Sequence, residues 1–302
     1  MLVSLILCPS SCKKKPTQPP PVQPGEQWTA RASGGLYDLR DIATDGNILV
    51  AVGDSGRVLT SDSGVNWTLR STPTTAALSA VAWTANLGFV VVSNAGNGDT
   101  VLLSSNGVNW AAPPSTGMTD PINDVTGFGS LLMAVGCNGS VYTSSSGVSW
   151  NVRSSNVPIC LEGVKWDGLQ YIIVGQNGSI STTPSGLTFT PRTSGVTSWF
   201  RDIAGECSKI IAVGDGGIIK SSTDNGINWA TSDSVGTDLN AVTCSGDSFV
   251  AVGDGGAIYT SFDAGLTWKK RTSPTTVSLL GVTKFGSRYV AVGLDGAILT
   301  SP

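Results

Sequence analysis

Most of the side chains that usually carry out chemistry are missing from this chain, and those that remain are easily placed. There is no His. That removes Ser-His-Asp and Cys-His nucleophilic systems, imidazole acid/base work and His-ligated metals. Only Glu26, Glu162 and Glu206 supply glutamate carboxylates. Glu162 with Asp124 or Asp202 is the one pair that could serve as the acid and base of a glycoside hydrolase, and no motif supports it. Arg40 and Arg201 stand in matching tetrapeptides, Leu39-Arg40-Asp41-Ile42 and Phe200-Arg201-Asp202-Ile203, with Tyr37 and Trp199 close by. These five residues, Tyr37, Arg40, Glu162, Trp199 and Arg201, are the candidate binding site. The competing reading is structural, with salt bridges between neighbours such as Glu162 and Arg201. The Gly-Asp-Gly-Gly runs beginning at Gly214 and Gly253 lack the Gly-Lys-Ser/Thr of a phosphate loop and read as hairpin turns. No calcium-loop spacing appears. No catalytic residue, cofactor or metal is expected.

What positions these residues is a repeat. An apolar strand ending in Val-Gly, a Gly turn, a second short strand and Ser-x-Asp-x-Gly-x-x-Trp recur about every 40 residues. The copy over residues 249–268 (FVAVGDGGAIYTSFDAGLTW) is the clearest. Strand ends fall at Gly53, Ser93, Gly136, Gly175, Gly214, Gly253 and Gly293. Each unit holds four strand-sized runs, and four strands with two apolar faces are stable only when stacked against neighbours. The expected fold is all-β: a seven-bladed β-propeller of four-stranded antiparallel blades over residues 27–302. The chain stops after the third strand of the last unit. The sequence around Trp28 (QWTAR) matches the fourth strands elsewhere, such as that at Trp67 (NWTLR). The N-terminus should therefore close the ring, which leaves no inner edge open.

Residues 222–229 (STDNGINW), 261–268 (SFDAGLTW) and 60–67 (TSDSGVNW) are Asp-box motifs. With the Val-Gly-x-x-Gly hairpin before each, the chain resembles Asp-box (BNR-type) repeat propellers of the photosystem II assembly and stability factor-like family. The resemblance covers residues 28–301. It implies the propeller fold, since the box is a structural turn, while the absence of His, the scarcity of Glu and the nearly uniform short loops favour a binding scaffold without bond-breaking chemistry. Sialidases share that turn, but the Phe/Tyr-Arg-Ile-Pro motif such enzymes carry is absent. Function divides accordingly. The first expectation is a non-catalytic cell-envelope scaffold that recognises a protein or glycan partner through the loop face, where fourth strands connect to first strands. The alternative is a divergent, sialidase-like glycoside hydrolase.

Residues 1–12 (MLVSLILCPSSC) form a short apolar run ending in Cys, and residues 13–26 are Lys-rich and then Pro-rich. The arrangement resembles a bacterial lipoprotein leader, which implies lipidation at Cys12 and a linker that holds the domain off a surface. A lipid-anchored or secreted envelope protein is expected, monomeric and touching the membrane only through its anchor. A formal charge of −3 and the lack of a basic run in the repeats argue against nucleic acid. Four Cys lie in the repeats, and disulfides joining Cys137 with Cys160 and Cys207 with Cys244 are expected in an oxidising compartment.

Overall fold

The apolar run that ends each repeat in Gly becomes a strand buried on both faces, as in Leu49–Gly53 and Tyr171–Gly175, where every residue is buried. A strand of that kind needs a sheet on either side. The computed structural model, which describes residues 22–95, 101–206 and 209–302, supplies them as the blades of a seven-bladed β-propeller. The first blade shows the order from axis to rim: Leu39–Thr44, Leu49–Gly53, Arg57–Ser61 and Thr68–Arg70, all antiparallel. Second and third strands join through a tight turn. At Gly56 of that turn φ is +67°, and a Cβ would collide with the Thr74 carbonyl oxygen, so only glycine fits. The core lies between blades. One cluster joins Val250, Val252 and Ile258 of the sixth blade to Tyr289, Leu299 and Trp28 of the seventh.

Ring closure takes the form expected. Thr29–Arg31 pairs with Ile298–Thr300, with Thr29 opposite Thr300. The join is finer than a strand alone. In the first blade the turn between third and fourth strands is held by Ser61 Oγ accepting the Gly64 N–H (2.8 Å) and Trp67 Nε1 donating to the Gly64 carbonyl (3.1 Å). In the seventh, Ser301 Oγ accepts the Gly25 N–H (2.8 Å) and Trp28 Nε1 donates to the Gly25 carbonyl (2.9 Å). One turn is thus assembled from the two ends of the chain. Gly25 and Glu26, which read as linker in the sequence, belong to the ring, and Glu26 also forms an ion pair with Arg271 (3.1 Å).

The second blade departs from the four-stranded pattern. Its sheet has three strands, and the fourth is reduced to a single bridge between Leu103 and Ala111. Pro113 and Pro114 follow at the positions where the ladder would continue, and proline has no N–H to offer it. Five arginines stand in register, three residues after the outer-strand aromatic, and each fastens its own blade, while Arg271 also reaches across to Glu26 of the seventh. Arg31, Arg70, Arg153, Arg192 and Arg271 each donate Nε–H to a third-strand Thr hydroxyl, at 2.6 to 3.1 Å. They are blade fasteners rather than a basic rim.

Candidate functional site

Each inner strand carries one β-bulge at its start, so its pairing steps over Arg40, Ser79, Asn123, Glu162, Arg201, Asn240 or Leu280. A bulge re-aims the extra side chain. Together these seven residues line a dish of about 200 Å³ at the mouth of the axial channel, beside the connections from fourth to first strands. Arg40, Glu162 and Arg201, three of the five candidate residues, are therefore brought together.

The arginines are held by their own blades. Arg40 Nε donates to Asp54 Oδ1 (2.6 Å), and Arg201 Nε and Nη2 donate to the two carboxylate oxygens of Asp215 (2.7 and 3.3 Å). Asn240 reaches Asp254 in the same register (2.9 Å). The partner stands 14 residues on in every case, as the first residue of the hairpin turn. No bond joins Glu162 to Arg201: the shorter reach to Asp215 claims the guanidinium, and Glu162 has no hydrogen-bond or ion-pair partner among the described residues. Burial pushes the Glu162 carboxyl up, Arg201 opposes that shift, and Asp215 adds to it. About a third of each arginine side chain stays exposed.

Aromatic rings stack on cations at the same rim. Trp199 lies under the Arg201 guanidinium (4.9 Å), and Tyr37, 45% exposed, lies under Arg57 (3.7 Å). Tyr37 is thus displaced from the Arg40 cluster onto its own blade's hairpin. The neighbouring Phe200 and Met118 are fully packed.

Polar residues at the mouth also latch blade to blade. Ser79 Oγ donates to the Ile122 carbonyl, and Asn123 and Asn240 donate to the carbonyls of Leu161 and Leu279 (2.6, 2.9 and 3.0 Å). One step deeper, Asp41, Asp124 and Asp202 mark the channel waist in alternate blades. Each accepts the N–H of its own following residue and that of the next blade's inner strand, Val81, Val164 or Val242 (2.6 to 2.8 Å). Small residues separate them. A Cβ at Gly163 or Gly281 would lie 3.2 or 3.0 Å from the Cα of Asp202 or Asp41. Enclosure by the inner strands raises all three carboxyls. That of Asp124 is raised well above the usual carboxylate range, with help from the charges of Asp202 and Asp41, and Asp202 is pushed up to about 7. These carboxylates are ring fasteners whose acceptors are already engaged. Among the described residues no group of three or more His, Cys, Asp or Glu is arranged to hold a metal.

Cys137, in a hairpin turn, and Cys160, just before the next inner strand, form a disulfide across the mouth rim. The other expected pair lies outside the described residues at Cys207, as does Cys12.

No protein-family model matches the chain. No curated protein matches it in sequence. Solved structures do. YCF48 from Cyanidioschyzon merolae superposes with a TM-score of 0.73 at 21% identity, covering 91% of this chain and 98% of that one. A structure of YCF48 bound to D1 peptide gives 0.72 at 16%, covering 91% and 96%. The WD40 propeller domain of Doa1 gives 0.76 at 11%, covering 91% and 97%. The likeness is one of fold.

Proposed function

We propose that this chain is an Asp-box propeller of the photosystem II assembly factor-like type, anchored in the cell envelope through Cys12, and that it captures a protein partner at the channel mouth without catalysis. The observation that carries the reading is the rim itself. Seven bulges aim one side chain each into a shared dish, two arginines are fixed by carboxylates in one orientation, and a Trp lies under one of them. A rigid ring with a preset rim binds with little ordering cost. The dish, at about 200 Å³, suits a single side chain or chain end better than a run of sugars. YCF48 has been solved with a peptide bound, and a propeller of similar shape can be put to the same kind of use. Glu162 stands without the second free carboxylate that glycoside hydrolysis needs, because Asp124 and Asp202 are spent on backbone N–H groups.

The test is a peptide library selected against the immobilised full chain, with the selected peptide titrated into variants. Trp199→Ala and Arg201→Ala should each weaken capture. Arg201→Ala should lower stability by no more than about 1 kcal/mol, the usual scale for a half-exposed ion pair. Equal affinity in both variants removes the mouth as the site. Glycan turnover that Glu162→Gln abolishes would restore the hydrolase reading.

A further inference from the structure

The mouth exposes Leu36 and Tyr37 in one connection, whereas the opposite face holds a wider set of large apolar side chains out into solvent. Inner strands run away from the mouth, so the turns after them and the Ser–Gly–Trp turns share this second face. Phe128 (56% exposed), Leu169 (62%), Leu187 (65%) and Leu266 (66%) stand at the tips of such turns in the third, fourth and sixth blades, with Ile227 in the fifth and Trp83 at the inner rim of the second. The tips are tied into one surface. Phe128 stacks flat on Trp166 of the next blade (4.5 Å, 6° between planes), and Gln170, beside Leu169, donates to the Asn225 carbonyl in the turn that carries Ile227 (2.8 Å). Charged turns complete the face, where Asp45, Asp62, Asp224, Asp247 and Asp263 outnumber Lys209, Lys284 and Arg288.

The chain also enters here. Thr29–Arg31 runs from this face toward the mouth, so residues 22–28 lie on the apolar side. Before them stand nine residues, 13–21, which reach at most about 32 Å, and then the apolar run of residues 1–12.

We propose that this face rests on a lipid surface of zwitterionic headgroups, so that contact with the membrane extends beyond the anchor alone. Single apolar tips spread around a plane do not form the packed central anchor that a protein partner would need, whereas a fluid interface accepts each tip separately. The aspartates disfavour an anionic surface. The short stretch between Cys12 and Val22 keeps this face, and not the mouth, toward the surface that the Cys12 anchor enters. For its orientation the proposal rests on the membrane-directed reading of that leader, and the mouth is left free to face outward.

Hydrogen exchange on the full chain, with and without phosphatidylcholine vesicles, tests it. Vesicles should slow exchange in turns 128–130, 168–170, 186–188 and 265–267, and leave residues 36–40 and 199–201 unchanged. The combined variant Phe128→Ser, Leu169→Ser, Leu187→Ser, Leu266→Ser should lose that slowing while still binding the peptide selected at the mouth. Should the fourfold variant melt early, Leu187→Ser with Leu266→Ser alone should lose it locally. Unchanged exchange on adding vesicles overturns the proposal. So does slowing at the mouth, or the same slowing in concentrated protein without lipid, which would mean a face-to-face pair. The mass of the mature N-terminus reads the Cys12 lipid separately, so failure of the anchor and failure of the face are distinguishable.

Discussion

Replacing Trp28 with Ala should unfasten the ring at the blade that is assembled from both ends of the chain. Trp28 is 8% exposed, packs on Tyr289, Leu299 and Val250, and donates Nε1–H to Gly25. Burying an aromatic side chain removes roughly 150–250 Å² from water, and at about 25 cal/mol per Å² that is about 4–6 kcal/mol. Large aromatic truncations in cores cost about 3–5 kcal/mol, so about 4 kcal/mol is a fair expectation. With an unfolding entropy of about 2.1 cal/mol/K per residue over roughly 280 residues, that loss lowers the melting temperature by about 7 °C. Differential scanning calorimetry of Trp28→Ala beside Trp67→Ala is the assay. Trp67 makes the equivalent bond inside a continuous turn and is only half-buried, so Trp28→Ala should melt at or below Trp67→Ala. A Trp28→Ala protein that melts within a degree of the parent, while Trp67→Ala falls, would refute the closure argument.

Three further outcomes follow from particular contacts. Asp41, Asp124 and Asp202 have folded-state carboxyl pKa values raised above those of the unfolded chain, so between about pH 4 and 7 the native ring binds more protons. The contribution of each is fully present below the unfolded value and lost as pH rises through its own raised value, which for Asp202 is about 7; the melting temperature should rise from pH 8 to pH 5, with a shallower rise in Asp202→Asn. Asp263, held down to about 2 chiefly by its Thr267 hydrogen bonds, has the opposite sign, and its contribution is lost as pH falls through that value. Reducing the Cys137–Cys160 disulfide, which spans 23 residues, should lower stability by about 3 kcal/mol, seen as a lower melting temperature in reductant that Cys137→Ala reproduces and that reductant no longer changes.

The ring was readable because blade grammar is local. Val-Gly strand ends, Gly turns and a Gly-x-x-Trp at six of the seven outer strands, with Phe189 at the other, fix the strand order, and the match of Trp28 to Trp67 exposed the closure. The split turn was not read, because Ser301 and Gly25 belong to one motif only after the ring closes. The weak fourth strand of the second blade was available in Pro113 and Pro114 but was outweighed by the regularity of its neighbours.

At the mouth, register alone brought Arg40, Glu162 and Arg201 together, while their partners were missed. The repeated spacing of 14 residues from Arg40 to Asp54, Arg201 to Asp215 and Asn240 to Asp254 was a signal that could have found them. The Asp that alternates with a small residue along Asp41, Ala80, Asp124, Gly163 and Asp202 likewise marks a clamp between blades. The occupant of the dish is not encoded in such spacings, since it depends on seven side chains of five kinds from seven blades.

The most direct test of the central claim is to locate a selected peptide on the ring. Hydrogen exchange or amide NMR with that peptide should protect residues 36–40 and 199–201, and the double variant Trp199→Ala, Arg201→Ala should lose the protection while melting near the parent. Protection confined to the opposite face, or undiminished in the double variant, would contradict the account.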